Sequence, residues 1–336
     1  MKRFIFLLFL VSLDLFSQVG GESIYNFLNL TGSARQASLG GKVLTLVDDV
    51  NQPIWNPSTI NRNLNNQLSV SYMNYLADLS LGTASYAYTI NENLGTFHTS
   101  INYLNYGNFI GADEEGFETG SFKAYDLSFS IGYSYNFKNS DFYIGSNIKF
   151  INSVIENYSS LGIGADLGFI YYNEIQPYIF TLVIRNMGYQ VSVYDEEKEN
   201  LPNQIEFGIS YKLENVPITW HLTLDNLQKW EIAISNPSNE IVDIDGNTTK
   251  EDITFFDNAF RHLSIGAELF AESAFNLRLG YNFRRSKELM LVDERTFSGF
   301  TAGFGIKMKK MKFNYAFSKY HPASNASTFS LLINLN

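Results

Sequence analysis

From Gln67 to the C-terminus the chain is a succession of segments in which apolar and polar residues alternate. In the clearest, Tyr125, Leu127, Phe129, Ile131, Tyr133, Tyr135 and Phe137 fall on one face, with Asp126, Ser128, Ser130, Gly132, Ser134 and Asn136 on the other. Side chains on a strand point alternately to its two sides, so a strict period of two predicts a strand with one apolar face. Ile205, Phe207, Ile209 and Tyr211 repeat the pattern against Glu206, Gly208, Ser210 and Lys212. Phe275, Leu277, Leu279, Tyr281 and Phe283 repeat it against Asn276, Arg278, Gly280, Asn282 and Arg284, and Phe329, Leu331, Ile333 and Leu335 close the chain in the same way. The pattern predicts fourteen strands, at 67–76, 81–90, 94–106, 119–137, 140–156, 159–173, 176–187, 202–213, 216–228, 258–272, 274–285, 297–308, 310–320 and 326–336.

Alternation alone would suit a soluble sandwich as well. The segments, however, run to about ten to fifteen residues, where sandwich strands average about five or six. Many carry Tyr or Phe near an end, as aromatic girdles at membrane interfaces require. The connections also alternate in length. Those near Asn91–Asn93, Lys138–Asn139, Glu174–Ile175, Glu214–Asn215, Ser273 and Lys309 are tight, whereas Gly107–Glu118, Gly188–Leu201, Lys229–Asp257 and Ser286–Thr296 are long and acidic. Short periplasmic turns and long outer loops are the habit of outer-membrane barrels. The expected fold is an all-β, fourteen-stranded antiparallel transmembrane barrel over 67–336, with both termini periplasmic.

Two stretches precede the barrel. Met1 to Ser17 reads as a secretory signal peptide: Lys2 and Arg3 are followed by an apolar run from Phe4 to Leu13 that is too short to span a bilayer as a helix. Residues 18–66 do not alternate, and about forty-five residues exceed a simple tail. They read as a hatch folded into the lumen, the alternative being an extension packed against the periplasmic mouth. Ser33-Ala34-Arg35-Gln36-Ala37 suggests a helical turn, and Gly40-Gly41 breaks it.

Composition narrows the chemistry. Aromatic residues are 15% of the chain, cysteine is absent and the net charge is -10. An acidic balance without a basic cluster disfavours nucleic acid. Catalytic constellations are poor: His98, His221, His262 and His321 are scattered, no pair has metal-ligand spacing, and no nucleophile elbow or phosphate loop occurs. No cofactor, metal or catalytic residue is assigned. Asp243-Ile244-Asp245-Gly246-Asn247 has the composition of a calcium loop with the Gly misplaced, and reads as a plain turn. The runs Asp113-Glu114-Glu115 and Asp195-Glu196-Glu197 read as solvated loop charge, with bridging to lipopolysaccharide as the functional alternative. Asp166, Arg278 and Arg284 fall on lumen-facing positions and are expected to form one internal ion network. The loop Lys229–Asp257 holds Trp230, Ile232, Ile234, Phe255 and Phe256, apolar material suited to a protein partner or to a lid over the barrel mouth.

The string Gly20-Gly21-Glu22-Ser23-Ile24-Tyr25-Asn26-Phe27-Leu28-Asn29-Leu30, followed by Ser33-Ala34-Arg35 and Ala37-Ser38-Leu39-Gly40-Gly41, resembles the mature N-terminus of the PorQ family. Asp48-Asp49 and Asn56-Pro57-Ser58 stand where that family has an acidic pair and an Asn-Pro-Ala-like motif. PorQ proteins are outer-membrane components of the type IX secretion system of Bacteroidetes. They are similar to PorV and to the fatty-acid channel FadL, fourteen-stranded barrels with an N-terminal hatch. The resemblance implies a hatch motif of Ser33, Ala34, Arg35, Gly40, Gly41, Asp48, Asp49, Asn56 and Pro57. It also implies a non-enzymatic scaffold that anchors a PorZ-like surface subunit, beside PorU- and PorV-like proteins and lipopolysaccharide, with Trp230, Ile232, Phe255 and Phe256 as the partner-binding loop. Ser58 in place of Ala and a terminal Asn336 in place of Phe depart from the pattern. A second reading is a FadL-like channel for hydrophobic solutes such as long-chain fatty acids, which predicts an apolar pocket beside the hatch and a break in one barrel wall. An outer-membrane hydrolase is a third, and it lacks a nucleophile–base pair.

Overall fold

The computed structural model describes residues 23–76, 78–91, 94–137, 140–233, 241–242, 248–249, 252–288, 297–321 and 324–336. The expected leader, Ile234 and the Asp243–Asn247 turn lie outside them, as does the side chain of His321. Fourteen strands form one closed antiparallel barrel. They are β1 (Gln67–Asn74), β2 (Ser80–Asn91), β3 (Gly95–Ala112), β4 (Glu118–Asn136), β5 (Phe142–Ile155), β6 (Tyr158–Tyr171), β7 (Tyr178–Ser192), β8 (Gln204–Lys212) and β9 (Ile218–Leu224), then β12 (Leu263–Leu269), β13 (Phe275–Asn282), β14 (Phe300–Met308), β15 (Met311–His321) and β16 (Ser324–Asn334). A two-stranded ribbon, β10 (Ile241–Val242) with β11 (Thr248–Thr249), lies in the β9–β12 connection. Each barrel strand pairs with its chain neighbours, and β1 closes on β16 from Gln67↔Asn334 to Asn74↔Ser327.

The wall is inverted relative to a soluble protein. On β5, Ile148 and Phe150 are each 51% exposed while the alternate residues Asn147 and Lys149 are 0% and 3% exposed. The same holds on β4, where Phe129 and Ile131 face out and Asp126, Ser128 and Ser130 are buried. Water does not tolerate so continuous an apolar exterior, whereas hydrocarbon does. Among the described residues no helix is long and apolar enough to cross a membrane, so crossing is by strands. Near the short turns, Phe142, Phe169, Tyr171, Tyr178 and Phe180 stack on the outside with ring centroids 5.2–5.8 Å apart, the arrangement of an interfacial girdle.

The sequence pattern misplaced several ends. Gly107–Glu118 was expected as a long loop, but β3 runs on to Ala112 and β4 starts at Glu118. A bulge at Tyr106-Gly107, with Gly107 at φ +86°, absorbs the lost alternation and keeps the ladder intact. Gly188–Leu201 is likewise shortened, because β7 extends to Ser192. In the other direction, the predicted strand 258–272 begins as helix α2 (Phe255–Arg261), and 274–285 ends in helix α3 (Phe283–Glu288). The capping box of Thr254 with Asp257 starts α2 and satisfies helix-terminal amides that a strand would have paired elsewhere.

Residues 23–66 lie inside the lumen as helix α1 (Ala34–Ala37) and a series of 3-10 turns at Asn26–Asn29, Gln52–Ile54, Pro57–Thr59 and Arg62–Leu64. This lumen segment sits directly on the wall. A Cβ on Gly145 of β5 would lie 2.3 Å from the Pro57 carbonyl, and one on Gly280 of β13 would lie 2.1 Å from the Gly40 amide nitrogen. Only glycine permits backbone to meet backbone there. Gly280→Val is therefore expected to dislodge the segment while leaving the outer ladder paired. Limited proteolysis should show cleavage within residues 30–60 of the variant but not of the parent, with heat-modifiable gel mobility retained by both.

Candidate functional site

The interface between the lumen segment and the wall gathers most of the buried charge. Arg35, on α1, donates to Glu268 of β12 through Nε at 3.1 Å and Nη2 at 2.7 Å, and to Asp48 through Nη1 at 2.7 Å. Glu268 also accepts from Arg278 Nε of β13 at 2.7 Å, and Arg278 reaches Asn314 of β15 at 3.0 Å. Arg35, Glu268 and Arg278 are all under 5% exposed. One carboxylate thus ties two buried guanidinium groups, one from the segment and one from the wall. The planar fork of Arg35 makes that contact bidentate. Lys42 pairs with Asp225 at the end of β9, and Arg185 of β7 stacks over Trp55 at 3.8 Å while donating to the Leu28 carbonyl at 2.9 Å.

Neutral hydrogen bonds complete the attachment. Ala34 N donates to Ser330 Oγ at 2.9 Å and Gly40 N to Thr301 Oγ1 at 2.9 Å. His98 Nε2 donates to the Val50 carbonyl at 2.9 Å, and His221 Nδ1 lies 3.0 Å from Thr45 Oγ1. These two histidines are wall staples for the segment. His262 instead bonds the Asp225 and Trp230 carbonyls in the loops.

The residues singled out from the sequence occupy distinct places. Ser33, Ala34 and Arg35 form the start of α1. Gly40 and Gly41 make the left-handed turn after it, at φ +91° and +89°. Asp48 pairs with Arg35, whereas Asp49 is buried and accepts from the Asn51 amide at 2.9 Å, fixing a local turn. Asn56 accepts from Ser58 N at 3.1 Å and donates to Leu44 O and Thr181 Oγ1 at 2.8 and 2.9 Å. Pro57 lies against Gly145. Asp166, Arg278 and Arg284 do not form one network. Asp166 pairs with Lys149 at 2.8 Å and accepts the Asn186 amide at 2.9 Å, Arg278 belongs to the Glu268 cluster, and Arg284 pairs with Glu288 within α3. The strand parity of Arg284 is lost because the chain turns helical at Phe283. Glu268 and Lys149 were missed from sequence, although each is a charge on the polar face of an alternating strand.

Two apolar zones stand out. At the loop end of the lumen, the wall residues Met73, Leu81, Leu104, Ile151 and Tyr320 form a buried cluster with Ile24, Tyr25, Phe27 and Leu28 of the segment. Elsewhere the same wall faces carry mostly Ser, Thr, Asn and charge, with smaller apolar contacts at Ala87, Val183 and Leu332, so this cluster is a local change of lining. On the loop surface, Trp230 stacks with Phe255 at 4.9 Å, and Phe255 meets Phe256 edge-on at 5.8 Å. Phe255 and Phe256 are 65% and 70% exposed, whereas Ile232 is buried.

No family model matches the chain, and no curated sequence matches it. Among solved structures, the Ralstonia pickettii toluene transporter TbuX matches with a TM-score of 0.50 at 11% identity, over 91% of this chain and 98% of that one. The Acinetobacter baumannii outer membrane protein Omp33 matches with a TM-score of 0.37 at 9% identity, over 81% and 99%. At these identities the likeness is one of fold, that of an outer-membrane barrel.

Removing the carboxylate that the two guanidinium groups share should be costly. Glu268→Gln is expected to destabilise the folded protein by about 3–5 kcal/mol, because it leaves Arg278 without a counter-charge and Arg35 with Asp48 alone. Urea unfolding of the refolded protein in micelles reads this as a lower midpoint; an unchanged midpoint would mean that the triad does not hold the segment.

Proposed function

We propose that the protein is an outer-membrane channel for hydrophobic solutes, with the short turns on the periplasmic side and the lumen segment as its gate. The carrying observation is the apolar cluster at the loop end of a lumen whose lining is mostly polar. Polar lining suits a filled or water-bearing interior, and an apolar patch there needs an apolar occupant. In the closed state that occupant is the segment itself, through Phe27 and Leu28. A hydrophobic solute arriving from the loop end would compete for the same surface. Each buried aromatic or aliphatic side chain is worth about 1.5–3 kcal/mol, so a solute of similar area can replace one without a large net cost. The fold shared with a toluene transporter accords with this reading. At Asp166 the β6–β7 ladder slips out of register, and the Asp166 bond to the Asn186 amide fills the irregularity. At this irregularity a lateral exit would meet an interrupted ladder.

A second reading is the secretion scaffold, favoured by the exposed Phe255 and Phe256 and by the N-terminal resemblance. There the loop surface would hold a PorZ-like subunit, and the barrel would serve as its anchor.

Uptake separates the two. Cells expressing the protein in a host without its own hydrophobic-solute channel should take up toluene and oleate faster than vector controls, and Phe27→Ala/Leu28→Ala should raise the rate further by loosening the gate. No uptake by either form, together with loss of surface-attached cargo when the gene is deleted in its native host, would sink the channel and leave the scaffold.

A further inference from the structure

At the turn end, beneath the lumen segment, lies a second cavity of 680 Å³. Its lining reverses the charge of the chain. Six basic residues, Arg35, Lys212, Lys307, Lys309, Lys310 and Lys312, face four carboxylates there, in a protein of net charge -10. Two of the cations are already matched: Arg35 by Asp48 and Glu268, and Lys212 by Glu272. Lys310 donates to the Asn336 carbonyl. Among the described residues, Lys307, Lys309 and Lys312 make no direct ion pair, although Lys312 lies in the field of Asp48 and Glu268, which Arg35 already engages.

Register makes this surplus more than a solvated rim. Lys307 of β14 stands directly opposite Lys312 of β15. Both have the parity of lumen-facing positions, two residues from Gly305 and Asn314. Like charges directly opposite in a ladder are destabilising, and the turn that joins the strands adds Lys309 and Lys310 to the same end. Such a pair is relieved by a bound anion. Independently, His221 of β9 lines the same cavity, is 4% exposed, and has no hydrogen-bond partner for Nε2. Among these polar groups the lining also includes Leu46, Val47 and Leu332, of which Leu46 and Leu332 show only a narrow apolar edge.

We propose that this vestibule binds an anionic amphiphile, its head group between Lys307 and Lys312 and its chain along Leu46, Val47 and Leu332. The site stands on the cavity itself; only its place on a solute path rests on the channel reading. Carboxylate and phosphate heads satisfy the same lysines, so the test carries both.

Full-length protein in nanodiscs of zwitterionic lipid would be titrated calorimetrically with decanoate, decyl phosphate, decanol and inorganic phosphate, beside the K307Q/K312Q variant. The expected result is saturable binding of decanoate or decyl phosphate that weakens at least ten-fold in the variant and falls as salt is raised. Which of the two binds more tightly assigns the head group. Decanol binding as well as the anions would overturn the proposal, as would inorganic phosphate matching decyl phosphate, or equal affinity in parent and variant with heat-modifiable mobility intact. Anion binding without solute uptake would sink the channel reading alone, and uptake without anion binding would sink this site alone.

Discussion

A strand in hydrocarbon has no water to complete its hydrogen bonds, so every amide and carbonyl must find a partner in the chain. The β1–β16 ladder satisfies the last two edges, and much else in this protein follows from that closure. A closed sheet has an inside and an outside. The period-two pattern then sorts residues so that Ile148 and Phe150 meet lipid and Asn147 and Lys149 meet the lumen. The polar interior that results cannot be left dry and empty. It is filled here by a segment that brings its own polar groups to meet those of the wall.

Filling a lumen with charge is harder than filling it with methyl groups. A buried cation needs a counter-charge held in good geometry, or the cost of leaving water exceeds the attraction. The Arg35–Glu268–Arg278 cluster meets that need with a bidentate contact and a shared carboxylate. The glycines work differently: Gly145 and Gly280 contribute nothing except the absence of a side chain, which lets the segment's backbone reach the sheet. Attachment therefore combines a few strong polar ties with close backbone contact, while the loop-end cluster adds apolar packing to the Tyr25–Ser160 bond and the Arg185 contact with the Leu28 carbonyl. The segment is thus fixed unevenly along its length. Its first described residues, Ser23 to Leu30, bring no charged side chain of their own.

Much of the fold was legible in the sequence because strand parity is a local property. Tyr125 to Phe137 shows its two faces without reference to any neighbour, and all fourteen barrel strands fall where such runs occur. The misread ends share a cause: each lies where alternation and backbone state part company. Tyr106-Gly107 breaks the alternation without ending the strand, and Phe283 continues the alternation after the strand has ended. The ion pairs were less legible. That Arg278 faces inward could be read from parity, but its partner Glu268 depends on which strands stand adjacent and at what register, and Arg35 comes from a segment with no periodicity at all. The opposed Lys307 and Lys312 needed only the tight turn at Lys309 to be noticed, because a two-residue turn fixes the pairing.

The seam between β1 and β16 joins nearly the first and last residues of the barrel sequence. No partial chain can make it. A copy cut short anywhere before Ser324 keeps two raw edges, which invite pairing with other chains. The lumen segment runs directly into β1, so the strand that closes the seam is also the one that tethers the segment. Closure of the wall and tethering of the segment thereby meet at one seam. Only a chain that includes β16 can form this seam.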